Sequence, residues 1–302
     1  MVTYNRVKNN STTFRYLTGL KLDEFEELIP SFQSAWNNFV YENFIKGRKR
    51  ERAYGGGNKP NLTDIRDKLV FILAYYRVYP LQVLQGLLFD LHTSNANRWV
   101  HRLSPLLKKT LGYEMQLPAR NRKTLDDILR ECPELEEFII DGTERKIKKP
   151  KDKNKQKENY SGKKKTHTVK NILVTDSQRK VKFLGKTLEG KKHDKKAADE
   201  ENLSFPEGTH LFSDLGFEGY HPNGILLHHP KKKPKGKALT PLDRESNRLL
   251  NSFRVLVEHG IRGVKLSRIT QDTYRNYQEN FEDELMEVAC GLHNYRVTNR
   301  LT

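Results

Sequence analysis

The chain has 302 residues, about a third of them apolar, enough for one large domain or two modest ones. Its formal net charge of +17 describes a surface that repels itself unless an anionic partner is near. Nucleic acid is the commonest such partner, with an anionic membrane surface as the main rival. No apolar run approaches the roughly 20 residues of a membrane span, and Met1 to Arg6 lead into polar sequence, so neither a spanning helix nor a secretory signal is expected. The two cysteines, Cys132 and Cys290, lie far apart and form no C-x-x-C pair. That pattern argues against a zinc site or a disulfide framework and fits a reducing, cytoplasmic setting.

In chain order, residues 13–45 predict a helix, with Phe14, Leu17, Leu20, Phe25, Leu28, Ile29 and Phe32 on one apolar face. The basic stretch from Lys46 and the run Tyr54-Gly-Gly-Gly-Asn-Lys-Pro60 read as a flexible connector. Three helices come next. The first is capped by Asn61 or Thr63 and runs through Ile65, Leu69, Ile72 and Tyr76. The second begins after Pro80, and the third is capped by Thr93 or Ser94. Short helix, tight turn and capped helix form a helix-turn-helix outline, which an ordinary three-helix bundle shares. Under the first reading, Asn95, Asn97 and Arg98 stand at the N-terminus of the recognition helix, where bases and phosphates are contacted.

From about residue 135 the texture is mixed α/β. Strands are predicted at 137–141, 166–175, 181–184, 210–214 and 224–229. A helix is predicted over 193–202, and two long ones over 240–268 and 272–297. Asp141 and Asp214 each close a predicted strand, and strand ends open onto the site-forming edge of a sheet with helical cover. If those strands are neighbours their carboxylates converge, and converging carboxylates stay ionised only around a cation, Mg²⁺ or Mn²⁺ for hard oxygen donors. Two such ions about 3.5–4 Å apart support phosphoryl transfer. On the helix from Thr240, the residues Asn247, Asn251, Arg254, Glu258 and Lys265 share one polar face, with Leu249, Leu250, Phe253, Leu256 and Val257 on an apolar one. By itself that polar face also fits an exposed, salt-bridged surface, since Arg254 and Glu258 are four apart.

The strip Asn251-x2-Arg254-x3-Glu258-x6-Lys265 resembles the signature of DDE-class insertion-sequence transposases. Asp141-Gly-Thr-Glu and Phe212-Ser-Asp214-Leu-Gly-Phe-Glu-Gly-Tyr resemble the segments around their first and second aspartates. Tyr160 to Lys170 looks like their hairpin entry, and Gly190-Lys-Lys-His-Asp194 and Lys231 to Lys237 also have counterparts. The nearest group is the Harbinger-like branch, over residues 60–297. The resemblance implies a ribonuclease-H-like mixed sheet flanked by helices over 130–298, preceded by an all-α helix-turn-helix region over 1–115. It implies Asp141, Asp214 and Glu258 as the catalytic, metal-binding triad with two Mg²⁺ or Mn²⁺ ions. It also implies cleavage of double-stranded DNA at transposon ends and transfer of 3′-hydroxyls into a target site.

Lys163, Lys164 and Lys165 before a strand, Lys191 and Lys192 before a helix, and Asn251, Arg254 and Lys265 beside the glutamate are the candidate DNA contacts. Asp194 is expected to cap its helix, and Glu144 to lie at the surface. Adjacent His228 and His229 face opposite sides of a strand and do not share a metal. The expected assembly is a homodimer or higher oligomer on paired DNA ends, nucleoid-associated in a bacterial cytoplasm and without a membrane partner. Two other readings stay open: a transposase-derived DNA-binding protein without catalysis, and a nuclease acting on RNA or hybrids. The helix-turn-helix argues against the latter, because the A-form major groove is too narrow to read.

Overall fold

The computed structural model describes residues 1–47, 54, 61–131, 136–222, 224–233, 238–278 and 280–301, the last set and the others with their side chains except at 131, 251–254, 256, 257 and 301. Most of the connector expected between residues 46 and 60 lies outside the described residues, as do Cys132 and residues 234–237. The chain forms two compact units. One gathers Met1–Leu117, Lys265–Thr270 and Glu284–Thr302; the other gathers Pro118–Val264 and Gln271–Asp283.

The first unit is helical. It begins with α1 (Tyr4–Val7), α2 (Ser11–Thr18) and α3 (Leu22–Val40). The single helix expected over 13–45 is thus two helices and a terminal π turn (Tyr41–Ile45), because Gly19 takes φ +78° and ends α2 in the left-handed conformation that glycine tolerates. Tyr4, Phe14 and Phe25 then pack ring on ring, with centroids 5.1 to 6.3 Å apart. Helix α4 (Ile65–Val78) is buried all round from Lys68 to Tyr76, as a central helix must be. Its cap is Asp64, whose Oδ1 accepts from the Arg66 N–H at 2.8 Å, and not Asn61 or Thr63.

Helices α5 (Gln82–Phe89) and α6 (Thr93–Tyr113) complete a three-helix unit in the helix-turn-helix order. Buried Gln85 ties α5 to α4 by donating to the Phe71 carbonyl at 3.0 Å, and Phe71 meets Phe89 edge-on at 4.9 Å. Trp99 of α6 stacks on Trp36 of α3. His92, not Thr93 or Ser94, is the N-cap of α6. Its Nδ1 accepts from the Ser94 N–H at 3.3 Å. The turn closes where Leu91 N–H donates to the Gly86 carbonyl at 2.8 Å.

The second unit is the ribonuclease-H-like sheet. After α7 (Arg122–Glu131), a helix that the sequence pattern does not announce, come β1 (Glu137–Lys146), the short lysine-rich α8 (Lys153–Asn159), β2 (Tyr160–Ser161), β3 (Thr166–Asp176), β4 (Val181–Leu184) and β5 (Leu188–Glu189). Helix α9 (Asp194–Glu201), β6 (Thr209–Phe212), β7 (Ile225–His228) and α10 (Pro241–Lys265) complete it. The spatial order is β4-β3-β1-β6-β7, with β2 and β5 also on β3. The β4-β3-β1 half is antiparallel, and β1-β6-β7 is parallel.

Strand alternation sorts the residues onto two faces. Phe138, Ile140, Ile172 and Val174 join the core with Leu125, Ala197, Ala198 and Phe217. The opposite face carries Ile139, Asp141, Leu173 and Thr175. There α10 comes so close at Gly260 that an added Cβ would lie 3.3 Å from the Arg179 carbonyl and 3.5 Å from Thr175 Cγ2. The glycine inside this helix, costly by propensity, permits that approach.

The last helix, α11 (Phe281–Leu301), starts nine residues later than expected. Ahead of it, Tyr274 is extended and its N–H donates to the Lys146 carbonyl at 2.9 Å, bridging next to Ile147. Leu249, expected on the apolar face of α10, is 63% exposed.

Two helical glycines give a stability test. A Cβ at Gly86 would sit 2.5 Å from the Leu91 backbone carbonyl, whereas one at Gly112 meets nothing nearer than Leu117 Cδ1 at 3.5 Å. Gly86→Ala is expected to cost about 1–3 kcal/mol by overpacking the turn. Gly112→Ala should be neutral or stabilising by up to about 1 kcal/mol. Urea unfolding of both variants checks this, and equal effects would contradict it.

Candidate active site

The first acid is not at a strand end. β1 runs on through Asp141 to Lys146; it is β6 that stops, at Phe212. In their parallel ladder Glu137 pairs with His210, Phe138 with Leu211 and Ile139 with Phe212. Carrying that offset two residues further sets Asp141 opposite Asp214, just where pairing has ended. The two strands are neighbours as the sequence expectation requires, and the mouth lies where one strand outruns the other.

Both carboxylates are held by local backbone. Asp141 Oδ1 accepts from the Gly142 N–H at 2.7 Å. Asp214 Oδ1 accepts from the Gly216 N–H at 2.7 Å and caps the short 3-10 turn Leu215–Phe217. Burial pushes the Asp141 carboxyl up to about 6, and the neighbouring charges of Asp214 and Asp194 push the same way, against the Gly142 hydrogen bond and Lys163. Two oxygen-rich side chains with surplus negative charge form a donor set that suits a hard divalent cation.

Asp194 has a larger part than its place in the sequence suggests. It is not the cap of α9, which is His193, but the first helical residue. Its Oδ1 pairs with Lys170 Nζ at 2.7 Å. Lys170 also donates to the Lys192 carbonyl at 2.7 Å. The signal available in sequence is the pair of glycines after the two acids, Gly142 and Gly216; a Cβ on either would fall within 2.8 Å of the Asp194 carboxylate.

The third expected acid, Glu258, stands exposed on α10. Among the described residues no three histidine, cysteine or carboxylate side chains lie close enough together to enclose a metal ion. The β1–β6 register sets Asp141 level with Asp214, and Glu258 is exposed on α10. The face of α10 near residue 258 includes Asn251 and Arg254, whose side chains lie outside those described, and half-buried Lys265. Thr240 starts α10 as expected, its Oγ1 accepting from the Asp243 N–H at 3.1 Å.

Residues 140–294 match the family model of the DDE superfamily endonuclease, and residues 60–112 match the helix-turn-helix of DDE superfamily endonuclease. The chain belongs to the DDE superfamily endonucleases. It is 31% identical over 242 residues to the probable transposase for insertion sequence element IS702 of Microchaete diplosiphon, covering 80% of this chain and 83% of that one. It is 25% identical over 217 residues to the putative transposase for insertion sequence element IS112 of Streptomyces albus G, covering 71% and 74%. No solved structure gives a significant match.

In this DDE chain the helix-turn-helix match spans α4 to α6, and at the start of α6 Asn95 and Arg98 are exposed and Asn97 half-buried. Lys163, Lys164 and Lys165 are exposed in the turn before β3, and Lys191 is exposed before α9. Lys192 is already engaged, 2.7 Å from Glu200 and 3.4 Å from Glu189. Glu144 lies on the opposite face of β1 from Asp141, three positions on, and accepts from Thr168 Oγ1 at 2.8 Å. His228 stacks on His210, their rings hydrogen-bonded at 3.1 Å, and burial holds His228 below the usual imidazole range. Among the described residues no helix is long and apolar enough to cross a membrane.

The raised Asp141 carboxyl gives a signed pH dependence. In the unfolded chain it ionises near its ordinary value, and in the folded, metal-free protein only near 6, so folding holds the extra proton between those values. Wild-type stability therefore falls as pH rises from 4 to 6 at this site. Asp141→Asn does not titrate, and its stability relative to wild type should rise by about 1–3 kcal/mol across that interval. Thermal unfolding in EDTA at pH 4 and pH 7 checks this, and parallel pH curves would contradict it.

Proposed function

We propose that this chain is a DNA transposase that binds transposon ends, cleaves DNA there and transfers the resulting 3′-hydroxyl ends into a target. The observation that carries the reading is the β1–β6 register, which sets Asp141 opposite Asp214 within a chain of the DDE superfamily. Asp141 and Asp214, joined by Glu258 in the DNA complex, would hold a pair of Mg²⁺ or Mn²⁺ ions. Bound there, the ions would activate the attacking water or 3′-hydroxyl and stabilise the leaving oxygen.

The chain's own groups divide the remaining work. Exposed Lys163, close enough to Asp141 to act on its carboxyl, is placed to bind the phosphate on the site's rim. Lys164, Lys165 and Lys191 extend that positive edge, and Asn251, Arg254 and Lys265 carry DNA along α10. Asn95, Asn97 and Arg98 at the start of α6 read or grip the terminal sequence in the major groove. Two ends must be brought together, so the working complex is a dimer or larger assembly on DNA.

A second reading is favoured by one observation, the exposed position of Glu258 on α10. On that reading the protein binds DNA specifically without cutting it. Supercoiled plasmid carrying the element's own ends, incubated with Mg²⁺ or EDTA, separates the two. We expect nicking that needs the metal and falls by at least about 10²-fold in Asp214→Ala and in Glu258→Ala, the scale set by removing one preorganised electrostatic group. DNA binding by folded wild type without nicking would establish the second reading.

The DNA-reading role of α6 is tested by affinity at several salt concentrations. Arg98→Ala should weaken binding and, for a phosphate contact, lower the salt slope by about one. An unchanged affinity and slope would remove Arg98 from the interface.

A further inference from the structure

The β1–β6 ladder ends at Ile139 and Phe212, so no strand pairing holds Asp214 beside Asp141. Something else must fix the gap between β1 and the turn after β6. The geometry points to Asp194. We propose that Asp194, pinned by Lys170, is a positioning residue that sets the separation of the two catalytic aspartates from behind the sheet; this rests on the transposase reading above.

Four observations carry it. First, the Asp194 carboxylate reaches both segments. A Cβ on Gly142 would lie 2.6 Å from its Oδ1, and one on Gly216 would lie 2.8 Å from its Oδ2. These glycines stand one residue after Asp141 and two after Asp214, and they leave the space the carboxylate fills. Second, the approach is from the face opposite Asp141. Gly142 and Lys170 share the alternation of Ile140 and Ile172, the face on which α9 packs through Ala197 and Ala198. Asp194 thus borders the backbone of both segments, and beside Gly216 it shares its space with Asp214, whose Oδ1 would lie 2.9 Å from the same Cβ.

Third, the wedge is itself immobilised. The Lys170 side chain is only 7% exposed and that of Asp194 23%. Lys170 Nζ forms an ion pair with Asp194 Oδ1 at 2.7 Å and donates to the Lys192 carbonyl, also at 2.7 Å, so strand β3 and the start of α9 are tied together. Fourth, the Asp141 carboxyl feels Asp194, which is among the charges acting on it. A carboxylate this close is tolerated because Lys170 neutralises it.

The test is Mn²⁺ binding by calorimetry to the full-length protein, with nicking and thermal unfolding alongside. Wild type against Asp214→Ala first establishes that the cation binds at the aspartate pair; no difference there would sink the transposase reading itself, whatever the Asp194 variants do. Asp194→Ala, which empties the gap, should weaken Mn²⁺ binding by about 10–100-fold, the range for an outer residue that orients ligands. Saturating Mn²⁺ should restore most of the nicking. Asp194→Asn keeps the shape and an acceptor for Lys170 and should stay within about 5-fold of wild type, below the range for losing an orienting group.

If Asp194→Ala does not fold, Gly142→Ala gives the same readout, because its methyl enters the space the carboxylate holds. In the double variant Gly142→Ala with Asp194→Ala the loss should be smaller than the two single losses combined. Mn²⁺ affinity unchanged in both single variants, with only the melting temperature lowered, would make Asp194 merely structural and overturn the proposal. So would equal loss in Asp194→Asn and Asp194→Ala, which would mark the charge and not the position as the active element.

Discussion

Parallel pairing between β1 and β6 is the constraint on which the site depends. A parallel ladder fixes not only that two strands are neighbours but which residue stands beside which, and here its offset brings Asp141 level with Asp214. One residue of slip would turn one of the two acids to the other face. The hydrophobic alternation of Phe138 and Ile140 against the α9 face resists that slip, because it would bring Ile139 and Asp141 into the core. The energy that defines the register is thus apolar burial on one face, while its chemical product appears on the other.

The same architecture explains why the carboxylates can be brought close at all. Buried, converging acids oppose folding, and Asp141 is reluctant to ionise first because it is buried and then because of the charges of Asp214 and Asp194. The opposing contributions are local: Asp141 accepts from the N–H of Gly142, the next residue of its strand, Asp214 accepts from the N–H of Gly216 in the turn after it, and Lys170 neutralises Asp194. The unit accepts an arrangement that is electrostatically unfavourable without a cation, as expected where function and stability pull apart.

Much of this is legible in the sequence. β1 and β3 are plain from their β-branched runs, and α10 from its cap and periodicity. The two aspartates are marked by their place after apolar runs. What is hidden depends on three-dimensional neighbours. Gly19 looks like one more residue in an amphipathic run, yet its left-handed φ divides the first helix. Residues 272–280 carry helix-compatible composition, but Tyr274 is taken up in a bridge to the end of β1. Asp194 sits where a helix cap belongs, and only the glycines across the sheet explain its use. Leu249 keeps the apolar periodicity of α10 without being buried, so a face legible by spacing is not one covered by packing.

The central claim is that Asp141 and Asp214 form one cation-binding site. Crystals of the full chain grown with Mn²⁺ and measured for anomalous scattering address it most directly. The account predicts an anomalous peak at the two carboxylates, whose oxygens would hold the cation. A peak elsewhere with none between these aspartates, in crystals where both side chains are ordered, would contradict it.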